Sequence, residues 1–377
     1  MGTKSEKLTN LINRNFFFSE FSYSNTLVEH IDETEIELAD LIVAIGDVLI
    51  IYQLKERSLA HSKNESTEKK WYYNKVLKKA KKQINGTIEY LNTHKSIDLK
   101  NNRLDEIEIN VKNFHQIFKI IIFDPSKELE EEIRKNKGLN SSESGFIHLI
   151  TVADYNLICQ LLHTPTEILE YFWFREENAL KAQTVSESAL LGYYFKGDYD
   201  YPIQEVHADV LEKYYSETHK FDMRFLIDSF KENIVDGNVS NEYYSIIQEI
   251  ALLNRNELSE FRKRFVLAVE KSLETSVTSP YRLASPRLNC AYVFIPFPYG
   301  EDGDIRIPLE NFTRANKYDL KLKKSIGLLV KREIESEFFQ LHWCFMEHEW
   351  RYDDLLDDHL QRNNPFRNTR TKLVNKY

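Results

Sequence analysis

The sequence predicts an α/β protein in two parts: a mixed sheet flanked by helices, followed by a mostly helical α+β half. Three observations lead to this fold class. A hairpin signal, Gly46-Asp47, lies between two runs rich in β-branched residues. Two later apolar runs, 117–123 and 146–152, have the length of buried strands, and a long helical pattern separates them from the hairpin.

At 377 residues the chain is long enough for two domains, or one large one, with a substantial core. The change of pattern along the sequence favours two. We place the boundary so that residues 1–175 contain the sheet. Residues 176–377 then form the helical and mixed α+β domain, whose role the sequence does not reveal.

The hairpin joins residues 40–45 to residues 48–55. Polar residues follow it, and apolar residues at helical spacing then predict a helix over 68–91 with one packing stripe. The stripe consists of Val76, Ala80, Ile84, Ile88 and Leu91. Most of the remaining surface of this helix is lysine.

Strand 117–123 ends at Asp124-Pro125, and residues 127–145 read as a polar connection to strand 146–152. Thr164-Pro165-Thr166-Glu167 has the pattern of a capping box, which predicts a helix as far as Glu177. Residues 205–274 are helical in pattern. Strand-like runs within 288–300 and 325–347 then enclose a helical segment, 309–324.

Composition excludes several classes of protein. The formal net charge of −9 argues against indiscriminate coating of nucleic acid, so any binding depends on local basic patches. The 3 cysteines lack metal or disulfide spacing, which predicts a cytoplasmic protein. No apolar run is long enough for a membrane span, and P-loop, GxGxxG and GxSxG motifs are missing from the sequence.

The hairpin register brings three polar residues together. If Gly46 and Asp47 form the loop, Asp40 pairs with Gln53, and Lys55 shares their face of the sheet. The residues behind them on that face are apolar: Ile42, Ala44, Leu49 and Ile51.

A carboxylate, an amide and an ammonium at the rim of an apolar floor are suited to phosphodiester hydrolysis. Asp40 and the Gln53 amide oxygen can ligate Mg²⁺ (or Mn²⁺), which prefers oxygen donors. Lys55 can hold the attacking water and offset charge on the transition state.

These residues resemble the PD-(D/E)xK nuclease superfamily, whose members have the restriction-endonuclease-like fold. An Asp on one strand and (D/E)xK on the next form its signature, and Asp40 and Gln53-Leu54-Lys55 stand in those positions. Gln53 replaces the usual acid, as in the QxK variant, and no Pro precedes Asp40. The resemblance implies an Mg²⁺-dependent endonuclease acting on DNA in bacterial anti-phage or restriction-type defence.

The resemblance also implies further site residues. Members often carry an upstream Glu, for which Glu20, Glu29 and Glu37 are alternatives. Some place a Gln on the helix after the motif strand, where Gln83 stands. Neighbouring lysines of this helix would contact substrate phosphates; the candidate nucleic-acid-binding residues are Lys75, Lys78, Lys79, Lys82 and Gln83.

Several alternatives stay open. Gln53 is also compatible with a catalytically silent domain that binds nucleic acid or a partner protein. Asp40 and Lys55 could form an ordinary surface ion pair, and the lysines a solvated face. RNA is an alternative substrate, and a requirement for a partner defence protein stays open. We expect a homo-oligomer and no association with a membrane. A metal site at His342, Cys344 and His348 is disfavoured, because alternating aromatic residues there indicate a half-buried strand.

Overall fold

A computed structural model describes residues 4–24, 26–29, 35–57, 64–215, 241–332 and 338–366. Residues 1–219 form one compact unit and residues 220–376 form a second. The predicted boundary between residues 175 and 176 falls inside a helix of the first unit, Pro165–Glu177. The first unit therefore extends beyond the predicted nuclease-like domain.

The first unit contains, within the described residues, a six-stranded sheet and two small two-stranded sheets. The strands in chain order are β1 (Ser22–Ser24), β2 (Leu27–Glu29), β3 (Glu35–Glu37), β4 (Leu41–Ile45), β5 (Val48–Lys55), β6 (Ser96–Lys100), β7 (Glu106–Asn110), β8 (Gln116–Phe123), β9 (Gly138–Ser141) and β10 (Gly145–Thr151). The large sheet has the order β1-β4-β5-β8-β10-β9, while β2 pairs with β3 and β6 pairs with β7.

The large sheet is mixed, as predicted. Its pairs β1–β4, β4–β5 and β10–β9 are antiparallel, whereas β5–β8 and β8–β10 are parallel. The two later apolar runs thus complete the sheet that the hairpin begins. Because three consecutive strands of the order run parallel, their carboxyl ends meet at one edge.

The helices of this unit are α1 (Lys4–Phe16), α2 (Glu65–Trp71), α3 (Lys81–Thr93), α4 (Glu131–Arg134), α5 (Val152–Leu161), α6 (Pro165–Glu177), α7 (Glu187–Lys196) and α8 (Leu211–Tyr215). A π-helical stretch, Tyr72–Ala80, joins α2 directly to α3. We call this continuous segment, residues 65–93, the lysine-rich helix. It contacts β5 and β8, while α1 and α5 also contact strands of the sheet.

The hairpin has the predicted register. Ile45 lies opposite Val48, and Leu41 lies opposite Tyr52. Gly46, in the two-residue loop, has a φ of 59°, a conformation that glycine adopts without steric cost. The pairing stops at Leu41, so Asp40 is the residue immediately before β4 instead of its first member.

The second unit is mixed α and β. Its sheet has the order β11-β12-β13-β14, formed by β11 (Tyr281–Ser285), β12 (Cys290–Pro296), β13 (Lys324–Arg332) and β14 (Phe339–Glu347). Its described helices are α9 (Asn241–Ala251), α10 (Arg255–Lys271), α11 (Arg306–Leu320) and α12 (Asp354–Arg362). The α11 helix packs so closely on β13 that a Cβ at Gly327 would overlap the Thr313 side chain.

Some elements differ from the sequence prediction. Residues 127–145, predicted as a polar connection, contain α4 and the edge strand β9. A strand of four residues with a single apolar side chain shows no usable periodicity, so its pairing with β10 is a tertiary effect. No helix of the described residues is both long enough and apolar enough to cross a membrane.

Candidate functional site

The structure brings Asp40, Gln53 and Lys55 into one hydrogen-bonded cluster. The Lys55 ammonium lies 3.3 Å from Asp40 Oδ2 and 3.0 Å from Gln53 Oε1. It also donates to the backbone carbonyl of Leu54 at 2.9 Å. Gln53 is 2% exposed, and the side chains of Asp40 and Lys55 are 13% and 12% exposed.

Local sequence explains why these side chains converge. Successive residues of β5 alternate between the faces of the sheet, so Gln53 and Lys55 point the same way. Asp40 immediately precedes the neighbouring strand, β4. Its Oδ2 accepts a hydrogen bond from the Leu54 N–H at 2.5 Å. That backbone bond holds the carboxylate in place independently of the lysine.

The apolar floor predicted behind the cluster is present. Ile42, Ala44, Leu49 and Ile51 all belong to one buried cluster, which also includes side chains of β6, β7 and α3. This core closes the hairpin face below the polar residues. The three polar side chains consequently lie where the floor ends.

The cluster also stands at the carboxyl end of a parallel strand pair. Lys55 is opposite Phe123, the last residue of β8, and the Asp124 N–H donates to the Lys55 carbonyl at 3.2 Å. Ligands of open α/β sheets bind preferentially beyond such carboxyl ends. The position therefore suits a binding site as well as the residue types do.

The lysine-rich helix covers the same face of the sheet. Its predicted stripe is confirmed, since Val76, Ala80 and Ile84 pack against side chains of β8 and β10. Farther along, the Thr87 hydroxyl hydrogen-bonds the carbonyl of Leu38, two residues before Asp40. The helix thus connects the end of the sheet to the segment that carries the carboxylate.

Gln83 lies one turn before Thr87 on this helix, and the Gln83 carbonyl accepts a hydrogen bond from the Thr87 hydroxyl at 3.0 Å. The side-chain oxygen Oε1 of Gln83 is shielded from solvent and accepts no hydrogen bond from the described residues. A buried acceptor without a donor is costly.

The candidate lysines Lys75, Lys78, Lys79 and Lys82 are exposed along the helix. Lys69, in contrast, forms ion pairs with Glu65 and Glu130, at 2.8 Å and 2.5 Å. The exposed members give this helix a basic surface, whereas Lys69, near its start, is paired with two carboxylates.

The three upstream glutamates occupy different places. Phe21 accepts the Ala44 N–H, which places the preceding Glu20 toward the closed end of the hairpin, where it pairs with Arg103 at 3.0 Å. Asp40 lies at the open end, about 16 Å away at ordinary strand rise. Glu20 therefore does not join the cluster.

Glu37 is exposed at the end of β3, opposite Leu27, and the chain places it three residues before Asp40. Of the three glutamates, Glu37 is the one close to the cluster along the chain. Glu29 ends β2, opposite Glu35 in the pairing; its side chain lies outside the described residues.

Sequence reasoning missed a buried ion pair just beyond the cluster. Glu68 is 0% exposed and lies 2.8 Å from the Arg57 guanidinium, which also sits over the ring of Trp71 at 4.8 Å. One turn later, Tyr72 packs edge-on against Phe123. Only the position of Glu68 on the inner side of the helix, four residues before Tyr72, could have signalled its burial, because the residues around it in sequence are polar.

The donor set suits a hard divalent cation. A carboxylate, an amide oxygen and a backbone carbonyl surround one point, and all three are oxygen ligands of the kind that Mg²⁺ and Mn²⁺ accept. Only one of them is charged. Over the described ranges, no group of three or more His, Cys, Asp or Glu side chains is placed to hold a metal ion.

Comparison of the chain with protein-family models, with curated proteins and with solved structures finds no match. The class of protein must therefore be argued from the fold and the cluster themselves. These define a mixed α/β unit with a polar site at the carboxyl end of its hairpin strand.

Proposed function

We propose that the chain is a metal-dependent endonuclease with a restriction-endonuclease-like catalytic unit, and that it hydrolyses phosphodiester bonds of DNA. The observation that carries the proposal is the convergence of Asp40, Gln53 and Lys55 at the end of β5. A surface ion pair would not need a buried glutamine as its third member. A strand emerging into solvent would not leave these side chains almost enclosed.

Each residue has a role in this proposal. Asp40 and Gln53 hold Mg²⁺ or Mn²⁺, and Glu37, three residues before Asp40, is the candidate additional carboxylate. The bound ion would supply Lewis-acid stabilisation of the scissile phosphate. Lys55 orients the attacking water and faces the negative charge that develops on the phosphate oxygens.

The substrate is the nucleic acid that the lysine-rich helix can hold. Exposed lysines along one side of this helix provide phosphate contacts in a chain that is otherwise acidic. Gln83, on the same helix, is a further candidate contact, because its side-chain amide N–H groups can donate to phosphate oxygens. We expect DNA in preference to RNA, a role in anti-phage or restriction-type defence, and a homo-oligomer that cuts both strands.

A catalytically silent domain is the second candidate function. One observation favours it: Asp40 is the only carboxylate among the three clustered side chains, so the charge available to bind a metal is low. Such a domain would retain the basic helix and bind nucleic acid or a partner protein without cutting.

Cleavage of plasmid and single-stranded DNA by the purified protein, with Mg²⁺, Mn²⁺ or EDTA, separates the candidates. The informative variants are Asp40→Asn and Lys55→Met, with Asp47→Asn as the matched control. Asp47 is an exposed carboxylate at the closed end of the same hairpin. Metal-dependent cutting that is lost in both site variants and kept in the control supports the nuclease.

The opposite result is equally definite. A wild-type protein that binds DNA but does not cut it with any of these ions would favour the silent domain. Cutting that survives in Asp40→Asn would contradict the site.

A further inference from the structure

Lys55 has an arrangement that a purely water-orienting lysine does not require. Its ammonium donates to three oxygens from separate groups: the Asp40 carboxylate, the Gln53 amide and the Leu54 carbonyl. Two of these oxygens are the proposed metal ligands. The nitrogen therefore lies at the point toward which the oxygen donors converge.

We propose that the Lys55 ammonium is the internal cation of this site and that a divalent cation binds only by displacing it. This inference rests on the proposed metal site and adds a regulatory step to it. The lysine then has two positions, one among the oxygens and one outside them, and only the second is compatible with catalysis.

Distances make simultaneous occupancy unfavourable. The three oxygens lie 2.9–3.3 Å from Nζ, whereas Mg²⁺ requires its oxygen ligands at about 2.0–2.1 Å. A metal placed among them would lie within contact distance of a like charge. Electrostatic repulsion between two desolvated cations strongly disfavours that arrangement.

The structure also allows the exchange. Asp40 keeps the hydrogen bond from the Leu54 N–H when the lysine leaves, so the carboxylate retains its orientation. The Lys55 side chain is 12% exposed and has four rotatable bonds, which gives the ammonium a path toward solvent. Displacement therefore requires movement of one side chain without rearrangement of the sheet.

Binding of Mn²⁺ alone, measured by calorimetry and by the rise in melting temperature, tests the proposal. We expect Lys55→Met to bind Mn²⁺ roughly tenfold more tightly than the wild type, which corresponds to about 1.4 kcal/mol. Lys55→Arg keeps a cation in place and should bind no more tightly than the wild type. Lys127→Met removes an exposed charge shortly after β8 and serves as the control for long-range repulsion.

A second measurement uses the wild-type protein and does not depend on any variant folding. Amine acetylation followed by peptide mass spectrometry reports the accessibility of each lysine. Saturating Mn²⁺ should increase the labelling rate of Lys55 several-fold and leave that of exposed Lys127 unchanged. Simple repulsion without displacement would leave Lys55 labelling unchanged and would overturn the proposal.

The outcomes distinguish this inference from the proposed function. If Mn²⁺ binds the wild type, Asp40→Asn abolishes that binding, and Lys55→Met binds no more tightly, the metal site survives and the displacement is refuted. If neither the wild type nor Lys55→Met binds Mn²⁺, both the metal site and the displacement fail. Tighter binding in Lys55→Met together with increased labelling supports both.

Discussion

His148 in β10 is built into the first unit as a neutral ring. It is 1% exposed, and its Nδ1 lies 3.2 Å from a nitrogen of the Arg175 guanidinium. Arginine can only donate, so Nδ1 accepts and the ring proton resides on Nε2. Aromatic rings surround the imidazole at centroid distances of 4.9–6.0 Å: Phe118, Phe146 and Phe172.

Burial, followed by the positive charges of Arg175 and Lys119, holds the pKa of His148 well below its ordinary value. In the unfolded chain the pKa is near 6.5, so below that pH the unfolded state binds a proton that the folded state does not. Stability is therefore fully present above pH 6.5 and falls as the solution becomes more acidic. Linkage gives a loss of about 1.4 kcal/mol between pH 7.5 and 5.5 from this residue.

Two neighbouring acids do not obscure this effect. Glu187 has its pKa held at about 2, so the stability it contributes falls mainly below about pH 5. Burial raises the pKa of Asp154, so its contribution has the opposite sign, being present at low pH and lost as pH rises. Comparing the wild type with a single His148 variant cancels both terms.

The test is urea unfolding at pH 7.5, 6.5 and 5.5. Unfolding is monitored by hydrogen exchange in peptides of β8 and β10, so that only the first unit is observed. His148→Asn retains an acceptor for Arg175 and removes the titrating ring. We expect this variant to be less stable at pH 7.5 but to lose about 1.4 kcal/mol less than the wild type on acidification. The control variant is His115→Asn, which removes a largely exposed histidine of the same unit. Equal slopes for His148→Asn and the wild type would refute the reasoning.

Three further predictions concern other parts of the molecule. Glu187→Gln removes the carboxylate of a buried ion pair and should lower the free energy of unfolding by about 3 to 5 kcal/mol at pH 7.5, measured in urea. Gly327→Ala should lower the free energy of unfolding by about 2 kcal/mol, because the added Cβ overlaps the Thr313 side chain. Adding Thr313→Ala should recover most of that stability, and no recovery would show that a different neighbour limits the space. The double variant Lys78→Gln, Lys82→Gln should weaken DNA binding similarly for all sequences. The slope of the logarithm of the binding constant against the logarithm of the salt concentration should fall in magnitude by about 0.9 for each phosphate no longer neutralised. An unchanged slope would show that these lysines do not contact DNA.

The hairpin could be predicted because its information is local. A two-residue loop fixes the register, the register fixes which side chains share a face, and the observed pairing of Ile45 with Val48 agrees. The proximity of Asp40, Gln53 and Lys55 follows from that register alone. The stripe of the lysine-rich helix was predictable for the same reason, since helical spacing is a property of neighbouring residues.

Features that depend on tertiary contacts could not be predicted. The edge strand β9 gains its order from pairing with β10, because only one of its four side chains is apolar. Strands β6 and β7, in contrast, alternate polar with apolar residues, a signal that the sequence does contain. The burial of Glu68 depends on its ion pair with Arg57, which lies eleven residues earlier, before the start of the helix. Glu20 has a plausible position in sequence, but the antiparallel direction of β1 carries it to the wrong end of the hairpin.

The identity of residue 53 and the position of Lys55 explain each other. With Gln53, the cluster of one carboxylate, one ammonium and one amide has a formal charge of zero, so its partial burial leaves no uncompensated charge. A glutamate there would add a negative charge that a single lysine could not balance, and burial would then favour a bound cation. With a neutral amide at position 53, the cluster is charge-balanced while Lys55 lies among the oxygens, and its attraction for a metal cation is weaker. Under the proposed function, such a site stays inactive until a divalent cation displaces Lys55 from the cluster.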